Sequence, residues 1–114
     1  MEQLITEIKT MQQMEALAAA IKTAAAEAMK YADTEDGGTC NFDECLLDVK
    51  IPKRIIDKSG AKLRKREYGI FRGSYELYDI PSYGQGNCRT RMARAACASL
   101  RNSGYSAFVH YQID

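Results

Sequence analysis

A glycine-containing stretch near residue 85 leads into a predicted helix, and its residue types favour an anion. Gly84 and Gly86 allow close approach to the backbone, and Asn87 suits a helix N-cap. Exposed N–H groups at a helix start attract negative charge, whereas cations there are unfavourable by about 0.3–1 kcal/mol each. Four further residues of the predicted helix complete this candidate site, and three of them are cationic: Arg89, Thr90, Arg91 and Arg94. The stretch therefore predicts a nearby anion.

Three kinds of anion meet this prediction: a ligand phosphate, a carboxylate of a partner, and one of the chain's own acids, such as Asp79 or Asp114. Neither G-x-x-x-x-G-K-[ST] nor G-x-G-x-x-G occurs, so the stretch matches neither familiar phosphate loop. A small-nucleotide binder or enzyme that uses the segment Gly84–Arg91 remains one alternative.

A second candidate site is the basic segment between residues 50 and 72, which overlaps a group of aromatic residues. Strand alternation places Lys62, Arg64 and Arg66 on one face of a sheet, and tyrosines follow closely. Cations with exposed aromatic rings suit single-stranded nucleic acid, because phosphates meet charge and bases stack on the rings. The alternative is a solvated strand edge on which basic side chains discourage aggregation.

Catalytic and metal chemistry have little support in the sequence. Cys88 and His110 are the only Cys–His candidates near the glycines, and no local motif brings them together. The chain has four cysteines and one histidine, and the cysteine spacing fits a zinc site poorly. We therefore predict no catalytic residue, no metal and no cofactor, and we expect reduced cysteines in a cytoplasmic protein.

The pattern of elements predicts an α+β fold in a single domain, 1–114. A long helix over 2–32 comes first, and dense alanine and apolar residues at three- and four-residue steps favour it. At about 1.5 Å per residue it would be about 45 Å long, so we expect part of it, within 1–35, to protrude or dimerise. The remainder, 40–114, forms a mainly antiparallel sheet of three to four strands with a C-terminal-half helix on one face. The predicted strands and helices of this remainder are 47–51, 53–59, 62–70, 73–80, 89–100 and 105–113.

Charge is distributed unevenly along the chain. Residues 1–48 hold three lysines and ten acids, a net charge of −7, whereas residues 49–114 have a net charge of +8. This asymmetry indicates an electrostatic partner, unless the two halves neutralise each other within one chain or across a dimer. No apolar run is long enough for a membrane span, so no membrane partner is expected.

Two short strings give a resemblance to known proteins. The segments Asp36–Asp43 (DGGTCNFD) and Gly84–Thr90 (GQGNCRT) resemble small phage and mobile-element proteins of Firmicutes. Stand-alone proteins of that kind and size often bind and block host machinery, CRISPR effectors included. The resemblance implies this context and no activity for any residue.

The leading hypothesis is a non-catalytic protein that acts on nucleic-acid machinery, with an anti-defence inhibitor as one form of it. Its partner would be nucleic acid or a nucleic-acid-binding protein, contacted through the arginine surface. If the partner is a nucleic-acid-binding protein, acidic residues in the first third of the chain could instead mimic nucleic acid. These residues are Glu2, Glu7, Glu15, Asp33, Glu35 and Asp36. A structural homodimer through the long helix is the remaining alternative.

Overall fold

The computed structural model describes residues 3–32, 43–80 and 87–111. Over these residues the chain forms three helices and four strands, and the predicted α+β class is confirmed. In chain order the elements are α1 (Met11–Met29), β1 (Glu44–Leu47), α2 (Lys53–Ser59), β2 (Leu63–Lys65), β3 (Tyr75–Leu77), α3 (Asn87–Asn102) and β4 (Ala107–His110). In the described part, no helix is long and apolar enough to cross a membrane.

The four strands form one antiparallel sheet in the order β2-β3-β1-β4. Directly opposed residues share a face, so Leu47, Ala107 and Tyr75 lie on one side of the sheet. All three are buried, and they belong to the main core with residues of α1 and α3. We call this side the covered face. The opposite side, the open face, carries Glu44 beside His110, and Arg64 beside Glu76.

Helix α1 begins at Met11 rather than at residue 2, because Thr10 caps it. The Thr10 hydroxyl accepts a hydrogen bond from the Gln13 N–H, and the Gln13 side chain accepts one from the Thr10 N–H. This reciprocal capping box fixes the start of the helix. Its 19 residues span about 28 Å, so α1 is much shorter than the predicted 45 Å.

The residues before α1 are extended instead of helical. The Ile5 N–H donates to the Gly104 carbonyl, and the Ile8 N–H donates to the Lys50 carbonyl. The segment therefore links the end of α3 to the chain that follows β1. The strand predicted at 47–51 is therefore displaced: strand β1 lies earlier, at Glu44–Leu47. Lys50 instead forms backbone hydrogen bonds with residues 6–8.

The apolar side of α1 packs within the core of the same chain. Its buried residues are Met14, Leu17, Ala20, Ile21, Ala24 and Ala28, and they belong to the same core as α3. Leu17 and Ala24 are fully buried, whereas Ala18, the next residue after Leu17, is exposed. On α3 the buried face includes residues at helical spacing: Met92, Ala93, Ala96 and Leu100.

The predicted hairpin has a much longer connection than expected. Strands over 62–70 and 73–80 would have left a two-residue turn, but β2 ends at Lys65 and β3 begins at Tyr75. Arg66 and Gly73 close the ladder, since the Gly73 N–H donates to the Arg66 carbonyl. Beyond them the chain forms a loop, and Gly69 (φ 84°) and Gly73 (φ 94°) take the left-handed conformation that glycine allows.

Candidate functional site

The start of α3 is anchored by one of the chain's own acids, Asp43. The Thr90 hydroxyl donates to the Asp43 carboxylate over 2.8 Å, and Arg89 Nε donates to the Asp43 carbonyl over 3.0 Å. Asp43 is only 2% exposed, directly before β1. One of the chain's own acids thus lies at the first turn of α3, whereas Asp114, which the sequence also suggested, lies outside the described residues.

The remaining residues of the first candidate site are spread over the surface of α3. Arg91 is half-buried in the first turn. Arg94, one turn further, hydrogen-bonds the Tyr111 hydroxyl over 3.1 Å, and its guanidinium lies 5.5 Å from the centre of that ring. Gly84, Gly86 and the side chain of Asn87 lie outside the described residues.

A second group of charges lies on the open face, around Glu44. Arg66 Nη2 is 3.3 Å from the Glu44 carboxylate, and Arg66 Nη1 is 3.2 Å from His110 Nδ1. His110 Nδ1 also lies 3.9 Å from the Glu44 carboxylate. Arg66 therefore bridges a carboxylate and an imidazole of the same protein.

The pKa of Glu44 is raised above its usual value. Burial is the main cause, and the nearby Glu76 carboxylate adds to it, whereas Arg66, His110 and Arg89 oppose the rise. The two arginine groups of the sequence thus contact one dipeptide: Arg89 donates to the Asp43 main-chain carbonyl, and Arg66 forms an ion pair with the Glu44 carboxylate. The Glu44–Arg66 pair joins the acidic half of the chain to the basic half.

Sequence reasoning did not find this role of Asp43 and Glu44. The two acids are adjacent, and neighbouring side chains of a strand point to opposite faces, which does not favour paired acid–base chemistry. The sequence feature that could have indicated this role is the pair of acids at the beginning of a strand. Only the register Glu44–His110 and the packing of α3 on β1 identify their partners.

The loop 66–74 folds over the open face through one aromatic side chain. The Phe71 ring lies 5.1 Å from the Phe108 ring and 4.5 Å from the His110 ring, measured between centroids. The loop tip points the other way: Tyr68 is 87% exposed and Ile70 is 91% exposed. Phe71 thus secures the loop while two large side chains remain in solvent.

The loop and strand β2 border an open groove of about 860 Å³. Arg64 and Arg66 both line it, together with Lys65, Glu76 and His110. Arg64 is exposed and lies 3.8 Å from Glu76. Lys62 does not line the groove, but it is exposed beside it, and its carbonyl accepts from the Tyr78 N–H.

The Cys–His pair considered for catalysis has separate surroundings. The Cys88 thiol donates to the carbonyls of Tyr31 and Ala32, over 3.3 and 3.5 Å. His110 instead contacts Arg66, Glu44 and Phe71. No group of three or more metal-ligating side chains occurs within residues 3–32, 43–80 and 87–111.

The acids proposed as a nucleic-acid mimic are described only in part. Glu7 and Glu15 are exposed, whereas Glu2, Asp33, Glu35 and Asp36 lie outside the described residues. The chain matches no protein-family model, no curated protein and no solved structure.

Proposed function

We propose that this chain is a non-catalytic binding protein that acts on nucleic-acid machinery through the basic hairpin, defined here as residues 62–78. The observation that carries the proposal is the combination of exposed cations and exposed aromatic rings on this hairpin. Lys62, Arg64 and Lys65 are exposed, as are Tyr68 and Tyr78. Phosphates would meet the cations while bases stack on the rings.

The electrostatics favour the hairpin over the start of α3 as the contact surface. Arg89 and Thr90 already hold Asp43, and Arg66 holds Glu44, so an incoming anion would compete with these contacts. Arg64 has only an exposed ion pair at 3.8 Å with Glu76, and such pairs contribute little. Lys62 and Lys65 have no acidic partner within 4 Å among the described side chains, so both can turn toward phosphates.

Fluorescence anisotropy with labelled single-stranded DNA and RNA tests the proposal. We expect binding at low salt, and we expect Arg64→Gln with Lys65→Gln to weaken it and reduce the salt slope by about one per lost phosphate contact. Tyr68→Ala should remove about 1–3 kcal/mol of binding free energy if a base stacks there. Lys53→Gln with Lys58→Gln is the matched control, because it removes the same charge from the exposed side of α2.

Two results would contradict direct nucleic-acid binding. One is the absence of affinity for both nucleic acids at low salt. The other is equal weakening by the α2 control, because that would indicate general attraction rather than a surface on the hairpin.

The second candidate is a protein target, and the exposure of Ile70 favours it. An aliphatic side chain that is 91% exposed beside Tyr68 suits a protein interface better than a phosphate backbone. This version includes an anti-defence inhibitor, the context that the phage-type strings imply. A pull-down from the native host would test it: wild type should retain a nucleic-acid-binding protein that Ile70→Asp loses.

A further inference from the structure

A second groove lies on the other side of strand β2, and its charge is positive overall. It has a volume of about 560 Å³. Three cations and two acids line it: Lys50, Lys65, Arg72, Glu7 and Asp48. Its lining also includes the buried Tyr75, whose hydroxyl donates to the Ile51 carbonyl over 3.2 Å. We call this space the rear groove, and the groove of about 860 Å³ beside Arg64 the front groove.

Strand β2 connects the two grooves. It is an edge strand of the sheet, and successive side chains of a strand point to opposite faces. Arg64 is paired with Glu76 on the open face, whereas Lys65 is paired with Tyr75 of the covered face. Lys65 lines both grooves. The basic surface therefore continues from the front groove around the edge of the sheet into the rear groove.

The cations of the rear groove can bind an incoming anion. Backbone hydrogen bonds to Thr6 and Ile8 fix the main chain of Lys50, while its side chain is exposed. Arg72 is exposed as well, and within the described part of the chain neither cation has an acidic group within 4 Å. The Asp48 carboxylate instead accepts a hydrogen bond from the Ser106 hydroxyl over 3.3 Å.

We infer that one nucleic-acid strand passes from the front groove over β2 into the rear groove, so that the protein prefers a single strand to a duplex. This inference rests on the proposed binding through the basic hairpin and specifies its substrate class. The phosphates meet Arg64 and Lys65 at the edge of the sheet, and beyond it they meet Arg72 and Lys50. A flexible single strand can follow this turn. A short duplex is nearly straight, because its persistence length is about 150 base pairs, so it reaches only one of the grooves.

Fluorescence anisotropy at low salt tests this preference. The probes are labelled oligothymidylate and oligouridylate of about 4 and about 12 nucleotides, within the known range of site sizes, and a DNA duplex of about 12 base pairs. We expect the longer single strands to bind most tightly. Simple attraction would favour the duplex, which carries one charge per about 1.7 Å of its axis. A duplex that binds as tightly as the longer single strands would overturn the inference.

Substitutions in the rear groove test the path itself. Lys50→Gln with Arg72→Gln should weaken binding of the longer strands several-fold and lower their salt slope by about 0.7 per lost phosphate contact. The shorter strands should be affected much less. Glu7→Gln removes an acid from the same groove and should tighten binding of the longer strands, a gain that misfolding would not produce.

A matched control separates this path from general attraction. Lys22→Gln with Lys58→Gln also removes two positive charges, from exposed positions of α1 and α2 that line neither groove. If the rear-groove variant weakens binding no more than this control, the strand does not enter the rear groove, and the inference fails while the proposed function stands. If the wild type binds no single strand at low salt, direct nucleic-acid binding by the hairpin fails as well.

Discussion

At the scale of single residues, the key contact is the hydrogen bond from Thr90 to Asp43. It joins the first turn of α3 to the beginning of β1, where Asp43 is almost fully buried. A buried carboxylate needs its donors, because each lost hydrogen bond leaves a desolvated charge. Arg89 of α3 contacts the Asp43 main-chain carbonyl, and Arg66 contacts the neighbouring Glu44. The contact is therefore as much part of the fold as of the candidate site.

Thr90→Val removes the hydroxyl and keeps the size of the side chain. We expect it to lower the free energy of unfolding by about 1–3 kcal/mol, because Asp43 loses a donor in a buried place. Urea denaturation followed by circular dichroism measures the change. Thr23→Val is the control, since Thr23 is exposed on α1 and donates only within its own helix. If both substitutions alter stability equally, the hydrogen bond to Asp43 contributes no more to stability than that of an exposed threonine.

At the scale of secondary-structure elements, the beginning of α1 shows how one local motif redirects a segment. Thr10 and Gln13 satisfy backbone donors at the helix start, so the helix does not extend back through residues 3–9. Those residues instead pair with the chain around Lys50 and Gly104. The capping box was present in the sequence as Thr10-x-x-Gln13, but the continuous helical pattern obscured it.

Thr10→Ala should destabilise the protein by about 1 kcal/mol, within the range of about 0.5–2 kcal/mol for lost N-caps. The physical reason is that the Gln13 N–H loses its side-chain acceptor. Thermal and urea unfolding measure the loss. Thr6→Ala is the matched control, because the exposed Thr6 precedes the cap and takes part in pairing through its carbonyl. A Thr10→Ala protein as stable as this control would show that the helix start does not depend on the cap.

In the loop of the basic hairpin, contacts with residues distant in the chain determine where strand β2 ends. Alternating residues at 62–70 favoured a continuous strand, but strand β2 ends at Lys65. Phe71 contacts Phe108 and His110, and Arg66 contacts Glu44, so the loop is held by residues of β1 and β4. The same contacts leave Tyr68 and Ile70 in solvent, where they form the candidate interface.

At the scale of the whole molecule, the helices and the covered face share one core. Residues of α1, α3 and three of the strands belong to a single buried cluster, in which Leu17 and Met92 are fully buried. α1 packs on α3, and α3 packs on β1 and β4. A cavity in α1 should therefore weaken the sheet as well as the helix that contains it.

Leu17→Ala should lower the free energy of unfolding by about 2–5 kcal/mol, because the cavity left in a packed core adds to the lost burial. Helix loss, monitored by far-ultraviolet circular dichroism, should coincide with loss of tertiary packing, monitored by near-ultraviolet circular dichroism of the tyrosines. Gln12→Ala, which is exposed on the same helix, should change stability by no more than about 0.5 kcal/mol. Separate transitions for the two signals would contradict the single shared core.

The sequence by itself determined the features of the fold that depend on residues close together in the chain. The α+β class, the buried face of α3, and the ends of α2 and α3 at Gly60 and Gly104 follow from periodicity and glycine geometry. The unusual cations at the start of α3 also predict a nearby anion, without identifying it. These features are local, because side chains three or four residues apart, or two apart on a strand, share an environment.

Only the tertiary structure decided which groups meet. Asp43 lies more than twenty residues from Thr90, and Glu44 lies more than twenty residues from both Arg66 and His110. Their contacts depend on strand register and on the packing of α3 against β1, and neither leaves a periodic trace in the sequence. The predicted arginine surface is therefore divided: Arg66 pairs with the Glu44 carboxylate and Arg89 donates to the Asp43 main-chain carbonyl, whereas the exposed cations of the hairpin face solvent.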